Sequence, residues 1–383
     1  MKKTKIKVVQ VIADSDLGGG PNHVLSILRN LDKDKFECSL ICPGGRLSIK
    51  AKEIPAVDVY NVPMNSRFDL KAFFAIKEAL HKIQAGGYPF TPMVAHFHGA
   101  RAGFLGRIIM PRHMATVYTE HSIDENYHLA DPIREWMQKK LLARLNENTN
   151  LVIAVSSSVK RYLIENELAP EQRTVVIPNG IDFEEFAKRR SIRAKIHDTS
   201  HRTPIVGSIG SLNRQKGFRY LIEAMPEILK HYPLLTLEII GKGPEKEKLE
   251  ELVKERELTH HVAFLGEKTD ILDYLEHWSV FVLPSVSETF GIVLLEAMHS
   301  GLPIVASKVG GITDLIEHEK NGLLVEPKSS KAIAHSVLKL LDDQGLAAKI
   351  KKHGLSRVED FDWQHIIKRI ENSYVQLTKS TLR

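Results

Sequence analysis

Short apolar runs alternate with helical stretches along almost the whole chain, and this alternation limits the folds open to it. The apolar runs predict strands near 5–13, 37–42, 57–62, 93–98, 115–120, 150–156 and 174–178 in the first half, and near 204–210, 235–240, 262–265, 280–284, 303–306 and 322–325 in the second. Strand–helix alternation is typical of parallel sheets with right-handed crossovers. Because 383 residues exceed one ordinary domain, the sequence predicts an α/β protein with two doubly wound, Rossmann-like domains.

The boundary between the two domains is marked by a turn and a change in composition. A Pro-Asn-Gly turn at 178–180 ends the last predicted strand of the first half. A polar, basic stretch over 188–202 then leads to the first strand of the second half. We therefore predict an N-terminal domain over 1–184 and a C-terminal domain over 185–363, followed by a last helix within 364–383.

Composition and charge narrow the classes of function. The net charge of +6 is modest for this length, and no dense Lys/Arg block with interleaved aromatics occurs, so a nucleic-acid binder is not expected. Cys38 and Cys42 share one face of a predicted strand and have no partners at zinc-site spacing, which predicts buried free thiols in a reducing, cytosolic compartment. The apolar start of the chain is better explained as a first strand than as a secretion signal. No apolar run approaches the length of a membrane span.

Two glutamates in the segment 287–298 point to a ligand site. Glu296 lies in a stretch that is otherwise apolar, which predicts a helix buried all round, where a carboxylate is costly unless it is paired. Glu288 follows the apolar run 280–285, a predicted buried strand. Ligands bind at such strand ends in open α/β sheets. The alternative is a solvated Glu288 and a structurally paired Glu296.

The same segment offers a site for phosphate groups. Thr289 is the predicted N-cap of a helix that begins at Phe290, Gly291 and Ile292. The first amides of a helix have no internal partner, so a diphosphate fits that end without a special side chain. Gly291 would let the phosphate approach the backbone closely.

Several motifs in the same order along the chain resemble those of retaining glycosyltransferase family 4, also called glycosyl transferases group 1. The motifs are Gly18-Gly-Gly-Pro-Asn-His23, Thr119-Glu-His121, Ile177-Pro-Asn-Gly-Ile-Asp182, Lys216-Gly217, Gly241-Lys-Gly-Pro244, and Glu288 to Glu296. The resemblance covers nearly the whole chain. It implies the GT-B fold, in which two Rossmann-like domains face a cleft, with the residues after Trp363 returning to the N-terminal domain.

The resemblance also implies roles for the glycines and charged residues of the sugar-donor site. Gly18, Gly19 and Gly20 would face the donor diphosphate, and Lys216 would stabilise its departing charge. Arginine is usual in the family where this chain has Ser211, and Arg214 is the nearest replacement. By the same resemblance, Glu288 would contact a hydroxyl of the transferred sugar and Glu296 would contact the ribose. The backbone of Phe290, Gly291 and Ile292 would bind the diphosphate. Gly241 would line the cleft, and Gly266 would lie near the base.

The histidines at predicted strand ends complete the implied site. His98 and His121 end neighbouring strands and would face the cleft, with His121 near the anomeric carbon and the acceptor hydroxyl. His23, on the first predicted helix, is interpreted as a packing residue. No Asp-x-Asp metal motif accompanies the donor segment, so the resemblance implies transfer without a metal or cofactor.

The resulting hypothesis is a retaining transferase that moves a sugar from a nucleoside-diphosphate sugar to a hydroxyl acceptor. UDP is the commonest nucleotide in the family, and cell-surface polysaccharide or glycolipid assembly is the expected setting. Basic residues in the first half fit peripheral docking at the inner face of an anionic membrane. The alternative is that they lie on ordinary solvated helix faces. The acceptor loops are expected near 44–50, 63–69 and 122–134. Two alternatives stay open, a nucleotide-sugar epimerase on the same fold and a non-catalytic GT-B subunit.

Overall fold

The computed structural model describes residues 5–66, 68–85, 91–108, 114–121, 123, 131–183, 203–268 and 270–381. It divides into two compact units, Met1–Gly180 with Trp363–Arg383, and Ile181–Asp362. We call these the first and the second unit. The predicted boundary after residue 184 and most of the predicted acceptor loop 122–134 lie outside the described residues.

The first unit contains a seven-stranded parallel sheet. Its strands are β1 (Ile6–Ile12), β2 (Phe36–Cys42), β3 (Val57–Asn61), β4 (Met93–His98), β5 (Ala115–Glu120), β6 (Leu151–Ala154) and β7 (Thr174–Val176). They lie in the order β3-β2-β1-β4-β5-β6-β7, and every pair is parallel. The order reverses between β1 and β4, so the ends of these two strands and of β5 form the edge where ligands bind in doubly wound sheets.

The second unit repeats this arrangement with six parallel strands. They are β8 (Ile205–Ile209), β9 (Thr236–Ile240), β10 (Val262–Gly266), β11 (Val280–Leu283), β12 (Ile304–Ser307) and β13 (Leu323–Val325). Their order is β10-β9-β8-β11-β12-β13. The strand positions and the two parallel sheets confirm the predicted α/β fold class.

Helices connect the strands of both sheets. In chain order they are α1 (Gly19–Asn30), α2 (Arg46–Lys52), α3 (Leu70–Ala85), α4 (Gly99–Ile108), α5 (Pro132–Glu147), α6 (Ser157–Glu165), α7 (Phe218–His231), α8 (Lys246–Glu255), α9 (Leu272–His277), α10 (Ile292–His299), α11 (Ile312–Leu315), α12 (Ser330–Asp342), α13 (Gln344–Val358) and α14 (Trp363–Thr381). Short 3₁₀ turns occur at Glu171–Arg173, Arg214–Lys216 and Glu359–Phe361.

Most strands are buried because helices cover the faces of each sheet, whereas the outer strands β3 and β10 are only partly buried. The last helix, α14, belongs to the first unit and contributes Trp363, Ile366, Ile370 and Tyr374 to its core. Tyr374 is fully buried against Phe36, with ring centroids 6.1 Å apart. The chain thus returns to the first sheet after completing the second.

One smaller prediction, on the two cysteines, is also confirmed by the structure. Cys38 and Cys42 are buried free thiols, as predicted, and burial raises the pKa of Cys42 to about 12. Among the described residues, no helix has both the length and the apolar character that crossing a bilayer requires.

Candidate functional site

In the second unit, the structure brings Lys216 and Glu288 together. Lys216 ends the 3₁₀ turn after β8, and the Asn213 side chain caps that turn by accepting a bond from the Lys216 amide at 3.1 Å. Nζ of Lys216 forms an ion pair with Oε2 of Glu288. Ser285 donates to the same carboxylate oxygen at 3.4 Å. The pair lies at the ends of β8 and β11, neighbouring strands at the reversal of the strand order.

Burial makes it costly to separate Glu288 from Lys216. The Glu288 side chain is 9% exposed and the Lys216 side chain 24% exposed. A carboxylate this buried is stabilised only with a partner, because its desolvation is costly. The solvated alternative for Glu288 is therefore wrong, and Glu288 and Lys216 act as one charged unit.

Glycines hold the loops around Glu288 in close backbone contact. A Cβ at Gly310, where φ is +47°, would lie 2.0 Å from the carbonyl oxygen of Glu288. The next glycine, Gly311, donates its amide to that oxygen at 2.9 Å. On the other side, a Cβ at Gly217 would lie 2.1 Å from the carbonyl oxygen of Pro284. Larger residues do not fit these contacts, so the glycines fix the height and direction of the Glu288 backbone.

The helix that follows Glu288 begins later than predicted. Gly291, not Thr289, is the N-cap of α10, and the helix starts at Ile292 without a side-chain cap. The prediction for Thr289 is wrong because Gly291 takes a left-handed conformation, φ 92° and ψ 55°, and turns the chain there. The Gly291 cap itself has no side chain that could bond the first amides of α10. Phe290 is buried against Phe361, with centroids 5.9 Å apart, so its ring belongs to the core.

Helix α10 is also less buried than predicted. Leu294, Leu295, Ala297 and Met298 are buried, but Ile292, Val293, Glu296 and His299 are only half-buried. The expectation of a helix buried all round is therefore wrong, because one side of α10 faces away from the core. Glu296 lies on that side, one turn after Ile292. It can reach a polar group outside the core without the full cost of burial.

Arg214 and Ser211 are exposed, and the ion pair of Arg214 is with Glu245 rather than with Glu288. The Arg214 side chain is 83% exposed, and its Nε lies 3.6 Å from Oε1 of Glu245. Ser211 is exposed in the loop after β8. The structure does not bring Arg214 into the charged unit, and its predicted catalytic role stays a prediction.

Gly241 and Gly266 bring the ends of β9 and β10 together. The amide of Gly241 donates to the carbonyl oxygen of Gly266 at 2.9 Å. A Cβ at Gly241, where φ is +150°, would lie 1.9 Å from the carbonyl oxygen of Gly210 after β8. The loops after three neighbouring strands are therefore packed backbone against backbone, at the same end of the sheet as Lys216.

In the first unit, His98 and His121 follow adjacent strands, as predicted. His98 ends β4 and pairs in register with Thr119 of β5, two residues before His121. Nδ1 of His98 lies 3.2 Å from Nε2 of His121. A Cβ at Gly20 would lie 3.9 Å from Cδ2 of His121, so the loop Gly18–Gly20 and the start of α1 border the same imidazole. Gly20 and the two histidines therefore lie together at the end of the first sheet, and Gly18 and Gly19 precede Gly20 in the same loop.

A buried hydrogen-bond network fixes the orientation of His98. The Gln10 amide donates to Oη of Tyr374 at 3.1 Å, and its Oε1 faces Nε2 of His98 at 2.7 Å. Nε2 of His98 therefore carries the proton, and Nδ1 presents its lone pair to His121. His96 continues the network, 2.7 Å from both Tyr374 and Thr119. The strand residues and the returning helix together set one tautomer of His98.

A third imidazole, His23 on α1, completes the cluster. His23 is 3% exposed, and its ring lies 5.1 Å from that of His121 and 5.6 Å from that of His98, centroid to centroid. Neither of its nitrogens has a hydrogen bond to a described residue; Asn179 approaches the ring but outside hydrogen-bond geometry. His23 is buried, as a packing residue should be, but it carries two unpaired polar atoms.

Burial keeps these imidazoles uncharged. It lowers the pKa of His121 to about 4 and that of His96 to about 3. Burial, followed by repulsion from the neighbouring imidazoles, also lowers the pKa values of His23 and His98 well below the usual 6.5. At neutral pH the cluster therefore offers neutral nitrogen atoms as hydrogen-bond or metal-binding groups.

Sequence reasoning missed the side chains that support His98. Gln10 interrupts an apolar strand and His96 stands two residues before His98 on the same strand face. A polar residue in a strand covered on both sides indicates a buried network, so both could have been found. Tyr374 could not, because it lies 364 residues from Gln10 in a helix whose other core residues are apolar.

Two family models match consecutive parts of the chain. Residues 17–185 match the model described as Glycosyltransferase Family 4, and residues 190–357 match Glycosyl transferases group 1. Each model falls almost wholly within one of the two units. The matches therefore include Lys216, Glu288 and Glu296 in the second unit and His98 and His121 in the first.

Curated relatives and solved structures agree with these matches. An uncharacterized glycosyltransferase of Methanocaldococcus jannaschii is 38% identical over 231 residues, which cover 58% of this chain and 59% of that protein. The Escherichia coli UDP-Gal:α-D-GlcNAc-diphosphoundecaprenol α-1,3-galactosyltransferase is 25% identical over an alignment of 394 residues, covering 98% of this chain and 99% of that one. HepE of Anabaena, solved in complex with UDP-glucose, shares the fold with a TM-score of 0.80, 22% identity, and coverage of 97% and 100%.

Proposed function

Because this chain belongs to the glycosyl transferases group 1 family, we propose that it transfers a sugar from a UDP-sugar to a hydroxyl acceptor, with retention of configuration at the anomeric carbon. The observation that carries the proposal is the Lys216–Glu288 pair beside the glycine-capped start of α10. A non-catalytic subunit has no need of a cation paired with a buried carboxylate beside a helix N-terminus. Both groups suit a diphosphate that gains charge as the glycosidic bond breaks.

Each charged group of the second unit binds a different part of the donor. Lys216 stabilises the charge that develops on the departing diphosphate, and the first amides of α10 bind its oxygens. Glu288 orients Lys216 and accepts a hydrogen bond from a hydroxyl of the transferred sugar. Glu296, half-buried one turn into α10, accepts from the ribose hydroxyls.

For the reacting carbon we propose a role for His121. His121 is neutral at physiological pH, because burial lowers its pKa to about 4. It therefore acts as a hydrogen-bonding group near the anomeric carbon and the acceptor hydroxyl, rather than as a cation. The departing phosphate takes the acceptor proton on the same face of the sugar, which gives retention. Lys216 and the helix amides bind the diphosphate without a divalent cation.

A lipid-linked acceptor at an anionic membrane surface fits an exposed face of the first unit. Seven of the ten most exposed large apolar side chains of the described residues lie on or beside α3, α4 and α5; they are Phe68, Leu70, Phe74, Ile108, Ile133, Trp136 and Met137. Exposed cations such as Lys71, Arg134 and Lys140 are interspersed. A face with both characters suits lipid headgroups over an apolar layer. The E. coli relative is named for a diphosphoundecaprenol-linked acceptor. This similarity favours a role for this chain in cytoplasmic glycolipid or polysaccharide assembly.

Nucleotide binding tests the donor site first. Thermal unfolding is followed with UDP, GDP and ADP, on the wild type, Glu296→Ala, and the matched control Glu255→Ala in exposed surface of α8. UDP at about 100 times its dissociation constant should stabilise the wild type and the control by about 2.7 kcal/mol. Glu296→Ala should lose most of that response. If no nucleotide stabilises the wild type, the donor site is wrong.

Product analysis then tests the reaction. NMR of the anomeric proton distinguishes a retained from an inverted linkage, and free nucleotide-sugar with a changed sugar configuration would indicate an epimerase. Excess EDTA should not lower the rate. A rate restored only by Mg²⁺ or Mn²⁺ would contradict the proposed metal-free diphosphate binding.

Vesicle flotation tests the membrane face. The wild type should float with vesicles that contain anionic lipid at low salt, and Trp136→Ser should float less. Leu234→Ser, at a 75% exposed residue of the second unit, is the control and should behave as the wild type. Equal binding by both variants would remove α5 from the docking face.

A further inference from the structure

We propose that His23, His98 and His121 form a binding site for a transition-metal ion of the zinc class, with three protein ligands and one position open to water or another ligand. One nitrogen from each ring lies within 4.8 Å of the others. Nδ1 of His98 and Nε2 of His121 are already 3.2 Å apart, close enough for both nitrogens to bind one ion. Three imidazoles with an open position are the ligand set of several catalytic zinc sites.

His23 is the residue that points to a ligand beyond the protein. It is 3% exposed, and neither ring nitrogen is hydrogen-bonded to a described residue. Buried polar atoms are almost always satisfied. The unpaired Oδ1 of Asn179 beside the ring could serve only one of the two nitrogens, so the other calls for a different partner. A cation that accepts lone pairs satisfies all three rings at once, which packing alone cannot do.

The surroundings of His98 are those of a metal ligand. Its Nε2–H donates to Oε1 of Gln10 at 2.7 Å, which leaves Nδ1 free of a proton and directed at the cluster. Metal-binding histidines usually donate their other nitrogen in this way, and the partner fixes the ring. Gln10 is itself held by Tyr374. The support behind the ligand therefore runs through two further residues.

The chemistry of the ligand set selects the metal. The cluster contains three imidazoles and no carboxylate. Imidazole suits Zn²⁺, Co²⁺, Ni²⁺ and Cu²⁺, whereas Mg²⁺ and Ca²⁺ prefer oxygen ligands. The histidine site is thus distinct from a cation-binding site on the donor diphosphate. The sequence predicted no cation on the diphosphate. A bound ion would occupy Nε2 of His121 and slow sugar transfer; this consequence rests on the proposed function.

Cobalt absorption tests the site directly. The full chain, freed of metal with a chelator, is titrated with Co²⁺ in wild type, His23→Phe, His121→Gln and the control His365→Gln, an exposed histidine on α14 of the same unit. We expect intense visible bands of four- or five-coordinate Co²⁺ that saturate at one equivalent in the wild type and the control and vanish on addition of Zn²⁺. Both ligand variants should lose these bands.

The outcomes separate this proposal from the proposed function. A folded wild type that shows only the weak bands of six-coordinate Co²⁺ overturns the site, and so do unchanged bands in a folded His121→Gln. His23→Phe fills the buried ring position, and circular dichroism reports whether each variant folds. UDP stabilisation is measured on the same samples. A UDP response without cobalt bands refutes the metal site alone, and cobalt bands without a UDP response leave the metal site standing and refute the donor site.

Discussion

The two units place polar groups at the ends of similar parallel sheets by different means. In the first unit, side chains on the strands themselves carry the chemistry, since Gln10, His96 and His98 are fully or almost fully buried within β1 and β4. In the second unit, the strands are nearly all apolar, and the charged pair stands on loops whose glycines pack backbone against backbone. The same topology therefore supports a rigid network of neutral groups in one unit and a charged pair on tightly packed loops in the other.

This difference follows from what each site has to bind. Neutral imidazoles can lie deep in a sheet because they cost less to bury than charges, provided hydrogen bonds satisfy them. Lys216 and Glu288 carry full charges, so they must remain near the surface and paired. The loops after the strands offer that position, and glycine lets them approach each other.

The largest expected effect comes from removing the cation of the second unit. Lys216→Met keeps the length of the side chain but leaves Glu288 unpaired and the departing diphosphate without its cation. We expect kcat to fall by about 10²–10³-fold, by analogy with other groups that stabilise developing charge. Steady-state kinetics measures it. Lys254→Met, at an exposed residue of α8, is the control, and equal kcat values in the two variants would contradict a catalytic role for Lys216.

Acid should destabilise the first unit more than the second. The pKa of His121 is about 4 and that of His96 about 3 in the folded protein, against about 6.5 when unfolded. Between these values the unfolded chain binds more protons, so this stability is complete above pH 6.5 and is lost as pH falls. Each such imidazole contributes a slope of up to about 1.4 kcal/mol per pH unit.

Hydrogen exchange of metal-free protein from pH 7 to pH 5 resolves this acid effect by unit. Protection should fall faster in peptides of β1, β4 and β5 than in those of β8 and β11, after correction for the intrinsic exchange rate. His365→Gln, an exposed position, should leave the slope unchanged. A uniform loss across both units would show that the buried histidines do not govern acid stability.

Glycine packing in the second unit should be sensitive to a single methyl group. Gly310→Ala and Gly301→Ala both place a side chain at positive φ, +47° and +72°. Only the first drives a Cβ toward the Glu288 carbonyl oxygen, because nothing lies within 4 Å of a Cβ at Gly301. We expect Gly310→Ala to cost about 1–3 kcal/mol more than the control in urea unfolding. Equal costs would mean that the loop around Glu288 moves freely.

An effect on stability of similar size is expected from removing one hydroxyl in the first unit. Tyr374→Phe removes the oxygen that contacts both Gln10 and His96 and leaves two buried polar groups without it. The free energy of unfolding should fall by about 1–3 kcal/mol. Tyr220→Phe, at a half-buried tyrosine of the second unit, should change it by less than about 0.5 kcal/mol. A neutral Tyr374→Phe would show that the network is not needed for stability.

Sequence patterns alone located most of the fold. Thirteen strands were expected, and the structure has thirteen in its described residues, because buried parallel strands produce continuous apolar runs. The start of α10 was placed wrongly at Thr289, since a left-handed glycine at 291 outweighed a good capping residue. The exposure of Glu296 was also misjudged, because composition cannot tell which side of a short apolar helix lacks a cover.

The sequence by itself determined the two sheets, the positions of His98 and His121 at neighbouring strand ends, and the glycine-rich loops. These follow from local periodicity and from the rule that parallel strands end at one edge. Only the tertiary structure decided that Lys216 meets Glu288 across 72 residues and that Tyr374 supports Gln10 across 364. It also brought His23 against His98 and His121. Packing between distant segments decides such contacts. It produces no periodic pattern in the sequence from which they could be predicted.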